Sequence, residues 1–318
     1  MRFIVRRIIL AIITLFLVSI LCFLIFNVIR GDTAAVLGGM WVSPEQLETL
    51  REELGFNRNI FIRYIDWLGN FLKGNAGISY SFSGEEVSVL ILQRLPVSLS
   101  LALLSLFFII IISFSFSLLT VKKEGNITDL AANFLTAAGI STPGFFLGLL
   151  FIFIFGFIFK LFIPGNFIHY TENFFGFINC LIFPALAIAF PSSAILIKFL
   201  RGSLFAELQS DYVRTARSKG ANFFYILQHH VLRNALLPAI TMLGMIIAEI
   251  FSGSIIIEQV FSIPGIGRLL ISAISSRDYQ LIQALMIYIS FLVVIANTLA
   301  DIAIMFIDPR IRIAKDIR

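Results

Sequence analysis

The residues able to do chemistry are few, and most crowd into one stretch. Residues 211–238, with Lys198 and Arg201 just upstream, supply nine charged or histidine side chains: Lys198, Arg201, Asp211, Arg214, Arg217, Lys219, His229, His230 and Arg233. Such charges suit either a solvated basic loop or a docking surface, and a small-residue face favours docking. Tyr212, Ala216 and Gly220 are spaced by four and share one face of a helix. That face is small and nearly flat, so the backbone of another protein can approach it. Gly220 suits a left-handed helix end, and Asn222 suits the cap of a second helix. In that second helix Phe224, Leu227, Val231 and Ala235 form an apolar stripe, and Pro238 stands at the start of an apolar run. The stretch reads as helix, sharp turn, helix.

Elsewhere the sequence offers little for catalysis. Cys22 and Cys180 fall in apolar runs, without metal spacing or a disulfide framework. No G-x-x-x-x-G-K-[ST] loop is present, and the "GIG" at 265–267 is no phosphate cradle. Two acids sit at apolar depth, Glu249 and Asp301. Intramembrane acids are functional candidates by default. Asn297 lies one helical turn before Asp301, and water or Arg310 can reach that site. In "GISTPG" Pro143 removes a helix hydrogen bond and is flanked by Gly139 and Gly144, which predicts a kink or break, read either as packing or as part of a substrate path.

The elements that must position these residues are membrane helices. The chain has 318 residues, 58% apolar and 14% charged, against roughly half and a quarter in soluble domains. Uncharged runs at 8–29, 95–121, 130–159, 173–197 and 279–300 each exceed the roughly 20 residues that cross a bilayer core. A further run, 235–257, is broken only by Glu249. Continuous apolar runs exclude the alternating strands of a membrane barrel. The expectation is an all-α membrane protein with six transmembrane helices. Arg2, Arg6 and Arg7 precede the first run, which is too long for a signal peptide and reads as an anchor.

With the N-terminus inside, the inner side carries 15 Lys and Arg and the outer side nine, six of them in the long 30–94 segment. The positive-inside rule therefore puts both termini and the 198–233 stretch in the cytoplasm. The net charge of +5 reflects this sidedness and not nucleic-acid binding. A basic helix-turn-helix tethered to membrane at both ends cannot easily enter a DNA groove.

The expected organisation is a tail and first helix (1–29), an extracytoplasmic segment (30–96) and a core (97–318). Core spans are expected near 97–121, 130–159, 177–200, 235–257 and 279–307, with a cytoplasmic loop at 201–238. In the outer segment "SPEQLETLREEL" (43–54) predicts a helix capped by Ser43. A second amphipathic helix is expected over 57–74, with Ile62, Ile65, Leu68 or Gly69, and Leu72 on one face. "SIPGIG" (262–267) predicts a turn-rich outer segment.

The cytoplasmic stretch resembles the "EAA" loop of permease subunits in ATP-binding-cassette importers, above all the oligopeptide, dipeptide, nickel and glutathione permease family. "DYVRTARSKG" and "LRNALLP" carry the likeness, with Arg214-Thr215-Ala216, Gly220 and Leu237-Pro238 standing where the broad pattern has Glu-Ala-Ala, Gly and Leu-Pro. "LGFNRNIFIRYIDWL", "GNAGISY" (Asn75 standing where the family more often has Asp), "STPGFFLGLLFIFIFG", "GSIIIEQVFSIPGIGRLL", "RDYQLIQA" and "DPRIR" extend it nearly end to end.

That resemblance implies a type I importer permease without its own ATP hydrolysis and without a cofactor. It implies residence in the bacterial inner membrane. The implied partners are a second permease subunit, two ATPase subunits and a solute-binding protein. Asp211, Tyr212, Arg214, Ala216, Gly220, Arg233, Asn234 and Pro238 would then couple to the ATPase, while Pro143, Gly144, Glu249 and Asp301 are candidates for the pathway or a helix break. The implied cargo is an oligopeptide or dipeptide, with nickel or glutathione as the alternatives. A rival reading is an ion-coupled transporter with Glu249 or Asp301 as proton site. It predicts inverted repeats, which are not seen, and it leaves the 211–220 face unexplained. A membrane-anchored interaction protein leaves the broken third span unexplained.

Overall fold

The structure, a computed structural model, describes residues 2–29, 59–121 and 127–307. The expected helix at 43–54, Arg310 and most of the two basic segments at 122–129 and 308–318 lie outside the described residues. Among the described residues, five helices are long and apolar enough to cross a membrane, covering Ile4–Asn27, Val87–Thr120, Phe174–Leu208, Phe223–Val260 and Tyr279–Ala303. The sixth expected span is a bent pair, Asp129–Ser141 and Gly144–Ile158, meeting at 98°. The chain divides into two compact units, with boundaries after residues 8, 94, 268 and 291.

The larger unit is built around one helix. In chain order the elements are α1 (Arg2–Ile29), α2 (Ile60–Leu72), β1 (Ile78–Ser79), β2 (Glu85–Glu86), α3 (Val87–Thr120), α4 (Ile127–Ser141) and α5 (Gly144–Phe151). They continue with α6 (Phe174–Leu208), α7 (Asp211–Ser218), α8 (Phe223–Ile226), α9 (Leu232–Val260), α10 (Ile266–Ser275) and α11 (Tyr279–Ile307). Two π-helical stretches, Ile152–Ile158 and Leu227–Val231, extend α5 and join α8 to α9.

Helix α6 is the axis of that unit, and α4, α5 and α9 pack on it. Its buried side presents Ala185, Ala187, Ala189, Ser192, Ser193 and Ala194. Such small residues let membrane helices approach closely. The partners match: a Cβ on Gly139 would stand 2.7 Å from the Ala194 Cβ, and one on Gly144 3.1 Å from the Ala187 carbonyl. Ser113 Oγ donates to the Ser193 carbonyl at 3.3 Å, tying α3 to α6. Beyond α5, the rings of Phe155 and Phe162 each stack on Phe183 with centroids 4.9 Å apart, fixing the loop that returns to α6.

The smaller unit holds α2 and a two-stranded hairpin. Ile78 pairs with Glu86 and Ser79 with Glu85, and the turn uses Ser83 and Gly84 at positive φ. Asn75 Oδ1 accepts from the Gly77 N–H at 3.0 Å, a turn an Asp would make equally well. Buried Asp278 gathers the hairpin to α11. Its carboxylate accepts from Ser79 Oγ at 2.6 Å and Ser81 Oγ at 2.8 Å, and caps α11 through the Leu281 N–H at 3.1 Å.

The amphipathic helix expected over 57–74 is α2. Helix α2 buries Tyr64, Trp67 and Phe71 against Phe16, Phe23 and Tyr288. Ile62, Ile65 and Leu72 are 52%, 65% and 77% exposed. Aromatic rings bring more area to a contact than aliphatic ones, so they take the protein side of the helix.

Candidate coupling surface

Helix α7 is short and amphipathic, and it sits between two spans. Asp211 lies in its first turn and Arg217 in its last, each sign complementing the helix dipole. Val213 is fully buried and Ala216 packs against the same core. The helix ends in a Schellman motif. The Ala221 N–H donates to the Ala216 carbonyl at 3.2 Å and the Gly220 N–H to the Arg217 carbonyl at 2.9 Å. Gly220 sits at φ +82°, a conformation that costs an L-residue roughly 1–2 kcal/mol. Asn222 then caps α8 by accepting from the Phe224 N–H at 2.7 Å.

Of the expected stripe, Tyr212 and Gly220 are exposed and Ala216 is half-buried against the core. The Tyr212 hydroxyl donates to Glu207 and accepts from Asn234 Nδ2 at 3.4 Å. Burial and the bond to Glu207 push the Tyr212 phenol above its ordinary pKa. The exposed face carries Asp211, Arg214, Thr215 and Ser218, with Gly220 at its edge. Asn234 thus braces α7 from α9, Arg233 is exposed, and Pro238 lies on the exposed side of α9. In the second helix Leu227, Val231 and Ala235 are buried, but Phe224 is 58% exposed and leaves the expected stripe.

Arg201, counted above among the basic cluster, is buried. Its guanidinium pairs with Asp129, donates to Asn133 Oδ1 at 3.0 Å and lies 5.4 Å from the Phe205 ring centre. It binds the first turn of α4 to α6. Asp301 has a partner too: Arg7, at 2.9 Å.

Helix α4 stops at Ser141, and Pro143 is extended at φ −63°, ψ 138° ahead of Gly144. Glu249 is exposed halfway along α9, on a face shared with Thr241, Met245, Ser252 and Ile256.

Sequence reasoning missed Glu258. It is fully buried at the end of α9. One carboxyl oxygen accepts from Ser98 Oγ at 2.6 Å, the other from the N–H groups of Gly267 and Arg268 at 2.7 and 3.1 Å. Ser98 Oγ in turn accepts from the Ile266 N–H at 2.8 Å. The "GIG" segment does cradle an acidic side chain, a carboxyl of its own chain at the start of α10. Free N–H groups at a helix start suit that role. The glycine pair was the available signal, since a Cβ at Gly265 would fall 2.3 Å from that carboxyl and one at Gly267 2.4 Å from Ile255 Cα.

Comparison with known proteins adds the family. Residues 115–313 match the binding-protein-dependent transport system inner membrane component, and residues 1–102 match the N-terminal part of such components. The "Probable peptide ABC transporter permease protein y4tP" of Sinorhizobium fredii is 35% identical over 98% of this chain and 99% of its own. The "Oligopeptide transport system permease protein AppB" of Bacillus subtilis is 35% identical over 97% of this chain and 98% of its own. The chain belongs to the family of binding-protein-dependent transport system inner membrane components, as a multi-pass inner-membrane permease subunit rather than an enzyme.

Proposed function

We propose that this permease subunit imports peptides, taking them from a solute-binding protein and drawing on ATP hydrolysis in separate subunits. The names of the similar proteins support the peptide cargo. The observation that carries the coupling role is α7 itself: a charged helix closed by a left-handed Gly220 and held between two spans. Its outward residues Asp211, Arg214, Thr215 and Ser218 are the contact set, with Arg233 beside them. Tyr212, Ala216 and Asn234 hold the helix in place, and Pro238 lies within α9, the span behind it. The assembly pairs this chain with a second, different permease subunit and two ATPases, and both termini face the cytoplasm.

Glu249 and its exposed neighbours on α9 line the wet side of the span, since a carboxylate facing lipid at mid-depth is costly. Asp301, paired with Arg7, ties the chain's two terminal helices together. The break at Pro143 and Gly144 shapes the path rather than contacting cargo.

The test is crosslinking. Thr215→Cys in a chain without Cys22 and Cys180 should crosslink to an ATPase subunit carrying cysteines along its groove, and Gln228→Cys should not. Equal yields from both positions would remove the coupling role from α7.

A further inference from the structure

Helix α2 has three sides. Tyr64, Trp67 and Phe71 face protein. Asp66 and Asn70 make a polar stripe with Arg63, while Phe61, Ile65 and Leu72 form an apolar stripe 65–77% exposed. Separate polar and apolar sides, with the apolar side exposed next to membrane-crossing helices, suit a helix in a membrane interface.

Its orientation can be read from the two hollows along its edges. The edge of Trp67 and Asn70 shares a small polar hollow with Gln280 and Gln283, near the start of α11. The opposite edge, Leu68, Phe71 and Leu72, shares an apolar groove of about 380 Å³ with Ile287, Tyr288 and Phe291. About seven residues of α11 separate the two hollows, which is roughly 10 Å of rise and close to one helix diameter. Helix α2 therefore lies across α11, one edge toward the membrane surface and the other toward the bilayer middle. The far wall of the groove is Ile12, Leu15 and Phe16, at the centre of the first span, Ile4–Asn27. Ile8, Ile9, Ile13 and Leu17 of the same span are also exposed and face hydrocarbon.

We propose that this groove holds a phospholipid acyl chain, with α2 lying above it as a half-immersed helix at the bilayer interface. The walls are mid-span residues of two membrane-crossing helices, so hydrocarbon is the solvent that meets them. The volume lies within the range of ordinary ligand pockets, and the lining is almost wholly apolar.

Two single-tryptophan chains test this. Trp41→Phe leaves only Trp67. Trp41→Phe with Trp67→Phe and Phe71→Trp places the single indole on the groove wall. Each full chain is reconstituted in phosphatidylcholine vesicles brominated either near the headgroup end or near the middle of the acyl chains. The groove-wall indole should lose most of its emission to mid-chain bromines, and Trp67 should respond more to the shallow ones. Adding Leu15→Phe, which fills the groove, should restore much of the groove-wall emission. Three results would overturn the proposal: no quenching by either lipid, strong quenching of both indoles by aqueous acrylamide, or mid-chain quenching that Leu15→Phe leaves unchanged.

Discussion

Ser98 Oγ and Glu258 Oε1 lie 2.6 Å apart, although 160 positions separate them in the chain. Through this contact the start of α3 and the end of α9 share the first turn of α10, because Ser98 also receives the Ile266 N–H. A hydrogen bond in a folded chain contributes about 0.5–1.5 kcal/mol net, and a buried polar group left unpaired costs about 1–3 kcal/mol. Glu258→Ala should therefore lower the unfolding midpoint of the detergent-purified chain by several degrees. Gly267→Ala should do so as well, by forcing a methyl against Ile255. Unchanged melting of both variants would show that the knot is not part of the fold's stability.

Gly220 separates turn chemistry from docking. Within the chain no atom lies within 4 Å of a Cβ built there, so its requirement is the positive φ alone. Asn tolerates that conformation far better than Leu. Gly220→Asn should keep most ATP-driven uptake and Gly220→Leu should lose it, while membrane abundance stays near normal in both. Equal uptake by the two would mean that the turn is not what matters.

The buried pair at Arg201 should be asymmetric to mutation. Asp129→Ala leaves a buried cation without its carboxylate, a loss of about 3–5 kcal/mol. Asp129→Ala with Arg201→Met replaces both partners and should recover much of that loss. Quantified membrane abundance and thermal melting of the single and double variants would show whether it does.

Sidedness has a direct chemical readout. After Cys22 and Cys180 are replaced, Ser218→Cys should react with an impermeant thiol reagent only from the cytoplasm, and Glu85→Cys only from outside. Labelling of both from one face would contradict the proposed orientation.

Glu249 should matter to transport and not to folding. Being exposed, it can be replaced by Gln or Leu with little change in stability, typically within about 0.5 kcal/mol. Uptake should fall more in Glu249→Leu than in Glu249→Gln. A wild-type rate in the Leu variant would remove the residue from the pathway.

Local chemistry was legible in the sequence where it depends on neighbours in the chain. Gly220 and Asn222 announced the α7–α8 turn because left-handed φ and side-chain capping are decided within a few residues. Pro143 announced the break for the same reason. Glu258 was not legible: its partners come from α3 and from the first turn of α10, and no spacing within one segment encodes that meeting. Faces were legible only in part. Counting apolar positions in α2 found Ile62, Ile65 and Leu72, yet the rings of Tyr64, Trp67 and Phe71 won the protein side. For Tyr212, Ala216 and Gly220 periodicity gave the shared face, and not that Ala216 would be half-buried there.

The right-angle break between α4 and α5 has a mechanical consequence. Both arms are pinned to α6: by the Gly139 and Gly144 contacts at the bend and by Arg201 holding Asp129 at the far end of α4. Close-packed interiors compress little, so an elbow gripped on both sides cannot act as a spring. Torque applied at the Asp129 end is handed on whole, and the two arms turn as one crank around α6.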